Sequence, residues 1–142
     1  MKAYLDASAL LPMLIAEPGS AAVDTFMETA TDGLVVSEFA TAEVASALSR
    51  LVRTNRLAAD DASARLADFD AWRATAAEDV ELNAADVRLA HLYVRRFELM
   101  LRAPDALHAA ICRRADLVLI TLDRRLAAAA EALGVSSRLL AP

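Results

Sequence analysis

The chain has 142 residues, of which 57% are hydrophobic, and it carries a formal net charge of −5 at pH 7. This length is typical of one folded domain with a buried core, and the apolar content excludes a disordered acidic tail. The acidic balance disfavours a protein that holds nucleic acid only through passive phosphate contacts, because such proteins are usually basic.

Short apolar runs alternate with segments of helical periodicity along the chain. In chain order, the predicted elements are a strand at residues 3–5, helices at 8–16 and 21–30, a strand at 34–36, helices at 38–54 and 60–76, a strand within 78–82, helices at 84–98 and 104–115, a strand at 117–120, a helix at 123–133 and an edge strand within 135–140. Ser37, Asn83 and either Asp60 or Asp61 are placed to cap the helices that they precede, and Pro104 suits a first helical position.

This alternation is typical of a parallel sheet with right-handed crossovers and helices on both faces. The expected fold class is α/β, with four to five parallel strands in a single domain at residues 1–142. No apolar run approaches the roughly 18 residues of a membrane span, and no secretory signal precedes the first predicted strand. Cys112 is the only cysteine, which excludes an internal disulfide and favours the reducing cytoplasm.

Four acidic residues stand where predicted strands end or helices begin. Asp6 and Asp123 each follow an apolar strand, Asp105 opens a helix, and Glu43 lies in the helix after the second strand. Oxygen ligands suit Mg²⁺ or Mn²⁺ better than zinc, and two bound divalent ions would bring the net charge to about −1. Taken singly, each residue is better explained as a helix cap or a solvated side chain, and only their conjunction favours a metal site.

Three segments carry a family resemblance: DASA at residues 6–9, LRAPDALHAA at 101–110 and TLD at 121–123, with Glu43 between the first two. In this order they resemble PIN-domain ribonucleases, and the chain is similar to stand-alone toxins of the VapC group from residue 3 to about residue 134. The most specific part is PDALHAA followed by an apolar strand and T-x-D. The resemblance implies a three-layer α/β/α sandwich and Mg²⁺- or Mn²⁺-dependent endonucleolytic cleavage of RNA, which in toxins stops translation.

The resemblance makes Asp6, Glu43, Asp105 and Asp123 the catalytic, metal-binding quartet. Asp6 and Asp105 would hold a first ion, and the other two would complete its shell, hold a second ion or orient water. The expected reaction is in-line attack of a metal-activated water on phosphorus, leaving a 5′-phosphate and a 3′-hydroxyl. A cognate VapB-type antitoxin and a homodimer are the partners that the resemblance implies.

Four further residues are expected to assist this site. Ser8, Thr121 and His108 match supporting positions of the family and would act through hydrogen bonds. Arg102 precedes the Pro-Asp pair and is a candidate contact for RNA phosphate, with a solvated connection residue as the equal alternative.

Other functions remain open at this stage. A phosphatase of the haloacid-dehalogenase type needs a second Asp where Ser8 stands, and both it and a receiver-like signalling domain need a late lysine, whereas Lys2 is the only lysine. A PIN-domain nuclease that is not a toxin, or a PIN module used mainly for binding, is the alternative within the family.

Three arginines, Arg50, Arg53 and Arg56, form a basic strip on or beyond the third predicted helix. A solvated face is the default interpretation of such a strip, followed by RNA tracking or pairing with an acidic partner. One cysteine and two histidines are too few for a closed zinc site, so Cys112 is expected in the core. Phe26, Trp72 and Phe97 fall at helical core spacing and are expected to pack.

Overall fold

The computed structural model describes residues 1–142. Its sheet has five parallel strands, which are β1 (Ala3–Leu5), β2 (Leu34–Ser37), β3 (Glu78–Val80), β4 (Val118–Thr121) and β5 (Ser137–Leu139). The strand order is β3-β2-β1-β4-β5, so β1 lies at the centre and pairs with both β2 and β4. The register sets Tyr4 opposite Val35 on one side and Leu119 on the other.

Seven helices connect and flank these strands. They are α1 (Ala7–Leu10), α2 (Ser20–Thr29), α3 (Glu38–Arg53), α4 (Ala59–Ala76), α5 (Ala84–Val94), α6 (Ala103–Ala115) and α7 (Arg124–Leu133). None of them has both the length and the apolar character needed to cross a membrane.

Two apolar cores lie on opposite faces of the sheet, because successive side chains of a strand point to opposite faces. Tyr4 belongs to the core that α5, α6 and α7 cover, whereas its neighbour Leu5 belongs to the core that α1 to α4 cover. Leu119 and Ile120 of β4 divide between the two cores in the same way. The predicted three-layer α/β/α sandwich is therefore confirmed, with five strands.

The first helix is shorter than predicted. One α-helical turn, α1, is followed by a 3₁₀ turn over Leu11–Met13. Pro12 explains the change, since it has no N–H to donate to the carbonyl four residues earlier, and the chain continues with bonds to Leu11 instead. The short helix keeps Asp6 close to the end of β1.

The prediction that a helix extends to residue 98 was wrong. α5 ends at Val94, a 3₁₀ turn covers Phe97–Leu99, and Met100 takes a left-handed φ of 56°. Phe97 is consequently 82% exposed, and its predicted packing was also wrong. Phe26 is buried as expected, and Trp72 is half-buried and stacked on a neighbouring phenylalanine.

The caps follow the sequence prediction in two cases out of three. Ser37 caps α3, and Asn83 caps α5 in a capping box with Asp86. The prediction for α4 was wrong, because its N-cap is Ala58 and no side chain bonds there. Asp60 and Asp61 lie in the first turn instead, where a negative charge still suits the helix dipole.

Candidate metal-binding and nucleic-acid-processing site

Asp6 lies where the central strand ends and α1 begins. It is only 3% exposed, and its carboxylate accepts three hydrogen bonds. Oδ1 accepts from the Ser8 hydroxyl at 2.7 Å and from the Ala9 N–H at 3.0 Å, and Oδ2 accepts from the Thr121 hydroxyl at 2.6 Å. Burial raises the pKa of Asp6, while a favourable interaction with His108 and these hydrogen bonds act in the opposite direction.

Ser8 and Thr121 join the ends of β1 and β4. The two hydroxyl oxygens are 3.1 Å apart. Ser8 Oγ accepts the Leu122 N–H at 2.9 Å, and Thr121 Oγ1 accepts the Asp123 N–H at 3.0 Å. The two hydroxyls therefore hold the Asp6 carboxylate and the backbone that carries Asp123 in one hydrogen-bonded unit.

Asp123 is the N-cap of α7. Its Oδ1 accepts the N–H groups of Arg125 at 2.9 Å and Leu126 at 3.1 Å, while Oδ2 accepts no hydrogen bond. The capping role and a metal-binding role are thus compatible, because they use different oxygens of the same carboxylate.

Asp105 enters the same edge from α6, whose first turn contains it. Because α6 leads into β4, its N-terminus lies at the carboxyl edge of the parallel sheet. Burial raises the pKa of the Asp105 carboxyl, Arg102 opposes this rise, and the negative charge of Asp123 adds to it. The last effect places Asp105 and Asp123 within electrostatic range of each other.

Glu43 is held by a buried histidine. His108 Nε2 lies 2.5 Å from Glu43 Oε1, and His108 Nδ1 lies 2.6 Å from the Tyr4 hydroxyl. The Tyr4 hydroxyl is 2.8 Å from Ser37 Oγ, which also accepts the Ala40 N–H. A continuous set of side chains therefore runs from the end of β2 through the sheet to Glu43.

One proton arrangement satisfies every member of this set. Ser37 donates to Tyr4, Tyr4 donates to Nδ1 of His108, and Nε2–H of His108 donates to Glu43. The reverse direction would leave the Ser37 hydroxyl without an acceptor, because the only other hydrogen bond of Ser37 Oγ is the one that it accepts from the Ala40 N–H. Burial also raises the pKa of Tyr4, so its hydroxyl keeps the proton that this arrangement requires.

The four carboxylates retain free oxygen lone pairs after all these bonds are counted. Oδ2 of Asp6 accepts one bond only, and Oδ2 of Asp123 and Oε2 of Glu43 accept none. Asp105 makes a single contact, at 3.6 Å, with Arg102 Nε. This all-oxygen donor set fits Mg²⁺ or Mn²⁺ chemically, although no three His, Cys, Asp or Glu side chains are clustered closely enough to hold an ion in this arrangement.

An open cleft of about 790 Å³ lies beside Glu43. Ser8 and Glu43 line it, together with Arg102, whose side chain is 79% exposed. Arg50 and two neighbouring arginines of the predicted basic strip line it as well. An extended polyanion could therefore reach Glu43 from the solvent without any opening of the fold.

The structure adds two residues to those predicted from the sequence. Tyr4 and Ser37 were expected only as a strand residue and a helix cap, yet both belong to the set that holds Glu43. The one available signal was the hydroxyl of Tyr4 in an otherwise apolar strand, since a buried hydroxyl needs a partner. Cys112 is buried in the core, as predicted.

The PIN-domain family model matches residues 3–132 of the chain. None of the curated proteins compared with the sequence matches it significantly. Solved structures with similar folds were found at low sequence identity.

PAE2754 from Pyrobaculum aerophilum is 24% identical, with a TM-score of 0.68 over 96% of this chain and 83% of that chain. VapC20 from Mycobacterium tuberculosis, described as a sarcin-ricin loop cleaving toxin, is 18% identical, with a TM-score of 0.71 over 89% of this chain and 94% of that chain. A toxin–antitoxin complex from Klebsiella pneumoniae contains a chain that is 16% identical, with a TM-score of 0.62 over 85% of this chain and 86% of that chain.

Proposed function

Because the chain belongs to the PIN-domain family, whose members are nucleases, we propose that it is a Mg²⁺- or Mn²⁺-dependent endoribonuclease and the toxin of a VapBC-type pair. The observation that carries the proposal is the placement of four carboxylates that come from different elements. Asp6 and Asp123 cap the helices that follow β1 and β4, Asp105 lies in the first turn of α6, and Glu43 on α3 is bonded to His108. Each keeps an oxygen free of hydrogen bonds or with a lone pair to spare.

In this proposal Asp6 and Asp105 hold the divalent ion, and Glu43 and Asp123 complete its surroundings or orient water. When bound, such an ion polarises the phosphodiester and lowers the pKa of water. Burial raises the pKa of both Asp6 and Asp105, which fits carboxylates whose negative charge a divalent cation would stabilise.

The remaining side chains act on orientation. Ser8 and Thr121 restrict the Asp6 carboxylate to one rotamer by bonding to both of its oxygens. His108 restricts Glu43 through one oxygen and leaves the other without a hydrogen bond. In the proposal, Arg102, which is exposed beside Asp105, contacts a phosphate of the RNA. Cleavage of the scissile bond leaves a 5′-phosphate and a 3′-hydroxyl.

The toxin assignment is supported by similarity in fold to a chain of a toxin–antitoxin complex and to VapC20. We therefore propose a cognate VapB-type antitoxin as the protein partner.

We also propose a homodimer formed through an apolar hollow of about 360 Å³ on α5 and α6, which Val87, Val94 and Leu107 line. Val87 is 51% exposed, so Val87→Asp should give a monomer in sedimentation velocity, while Ala128→Asp, at an exposed position of α7, should not.

The test of the nuclease is expression of the wild type beside Asp6→Asn, Asp105→Asn and the control Asp24→Asn, which alters an exposed aspartate on α2. Growth arrest and Mg²⁺-dependent RNA cleavage are expected for the wild type and the control only. Co-expression of the proposed cognate antitoxin should restore growth. Equal toxicity or equal cleavage from all four folded proteins would contradict the metal-dependent mechanism, and cleavage without growth arrest would favour a PIN nuclease that is not a toxin.

A further inference from the structure

The cleft beside Glu43 has the opposite charge to the protein as a whole. Four arginines and two glutamates line it, which gives a net charge of +2, whereas the chain carries −5. A polyanion is therefore repelled by most of the surface and attracted to this cleft, whose wall includes one of the four carboxylates.

Helix α3 and the turn that follows it carry three of these arginines on the C-terminal side of Glu43. Arg50 lies two turns after Glu43 on the same face of the helix, and Arg53 flanks it on the next turn. Beyond the helix end, Asn55 takes a left-handed φ of 57° and the Arg56 N–H bonds back to the Leu51 carbonyl at 2.8 Å. This turn folds Arg56 back against the end of the helix, so that all three arginines line the cleft.

These three guanidinium groups are not neutralised by the protein. Arg50 and Arg56 make no side-chain hydrogen bond or ion pair, and Arg53 donates only to the neutral Ser49 hydroxyl at 2.8 Å. By contrast, Arg73 and Arg114 elsewhere in the fold are engaged by carboxylates. Free arginines beside one another repel, which favours a site whose negative charge comes from outside the chain.

We propose that Arg50, Arg53 and Arg56 form a phosphate track that holds single-stranded RNA on one side of the scissile bond. The inference rests on the proposed ribonuclease function and adds the path of the substrate. Ten residues from Glu43 to Arg53 rise about 15 Å, and a stacked strand rises about 3.4 Å per nucleotide, so the far end of the track lies about four nucleotides from Glu43. Its contacts are to the backbone, and it is therefore indifferent to base sequence.

The track is tested by RNA binding without cleavage. Fluorescence anisotropy of a labelled single-stranded RNA of about 12 nucleotides in EDTA measures affinity for the wild type, for Arg50→Gln, Arg53→Gln and Arg56→Gln, and for the triple variant. Arg88→Gln is the matched control, because Arg88 is exposed on α5 and has no side-chain partner. All of these arginines lie on the surface, so the variants should fold normally, and thermal unfolding checks this.

Each track substitution should weaken RNA binding about twofold to fivefold, and the triple variant about tenfold to a hundredfold. The plot of log affinity against log salt concentration should become shallower by about 0.7 per arginine, because each contact releases part of a condensed counterion. Arg88→Gln should change neither quantity. Unchanged affinity and unchanged salt slope in the triple variant would overturn the track while leaving the nuclease proposal intact, since cleavage is measured separately.

An acidic peptide is the other polyanion that such a cleft could hold. Labelled oligoglutamate of matched charge serves as the probe in the same assay. Weaker binding of oligoglutamate than of RNA by the wild type supports the track. Tighter, arginine-dependent binding of oligoglutamate would overturn it in favour of a peptide site.

Discussion

Thr121→Val removes a hydroxyl that serves two neighbours while preserving the shape of the side chain. Thr121 is fully buried, and its hydroxyl donates to Asp6 Oδ2 at 2.6 Å and accepts the Asp123 N–H at 3.0 Å. A hydrogen bond to a charged group contributes about 1.5–3 kcal/mol, and an N–H left without an acceptor costs about 1 kcal/mol or more. The expected destabilisation is therefore about 3 kcal/mol.

For 142 residues, the unfolding entropy is about 0.3 kcal/mol per kelvin, so Tm should fall by about 10 °C. The measurement is thermal unfolding by circular dichroism in EDTA at pH 8. Thr121→Ser is the control, because it keeps the hydroxyl and loses only a methyl group. Its Tm should lie much closer to that of the wild type.

The effect also has a defined pH dependence. Burial raises the pKa of Asp6 above that of the unfolded chain, so the native state binds more protons and stability falls as pH rises through that window. Without the Thr121 hydroxyl the pKa of Asp6 rises further, and the variant loses more stability over the same range. The difference in Tm between wild type and Thr121→Val should therefore be largest at pH 8 and shrink towards pH 4. A difference that does not depend on pH would refute the reasoning, as would equal stability of the two proteins.

Three further predictions concern the support of the site and of the fold. Arg114→Ala should lower the free energy of unfolding by about 3 kcal/mol in urea titrations, because it leaves the buried Asp86 carboxylate, which is 1% exposed, without its bidentate partner. A loss under about 1 kcal/mol would contradict the prediction. His108→Ala should lower kcat about tenfold to a hundredfold with little change in KM, because the substitution releases Glu43. His108→Gln should recover part of the lost kcat. A change confined to KM would argue against a positioning role for His108. At a hundredfold excess over Kd, Mg²⁺ should raise the free energy of unfolding by about 2.7 kcal/mol at pH 8. The stabilisation should be clearly smaller near pH 5, because protons compete with the ion for the Asp6 carboxylate. Differential scanning calorimetry measures the effect, which Asp6→Asn should abolish.

Much of the architecture could be predicted from local pattern. Apolar runs and helical periodicity located all five strands and seven helices, and the caps Ser37 and Asn83 were identified from residue type alone. The errors lay where the chain breaks its own periodicity. Pro12 shortened the first helix, and the turn after Val94 exposed Phe97, which no short-range pattern revealed.

For the candidate site too, some features could be predicted from the sequence and others depended on the tertiary structure. The sequence by itself determined which oxygen-bearing side chains follow the strands, because a parallel sheet brings the carboxyl ends of its strands to one edge, and Asp6 and Asp123 lie there as N-caps. It also determined the family to which they belong.

Only the tertiary structure decided which contacts hold these residues in place. Tyr4 and His108 are 104 residues apart in the chain, and Thr121 is 115 residues from Asp6, so no local signal could show that they bond. Local sequence also could not show where the basic strip at the end of α3 lies, because its spacing is equally that of a solvated helix face. Its position in a cleft shared with Ser8 depends on how α1 and α3 pack, because long-range packing rather than periodicity sets which faces of two helices enclose a common space.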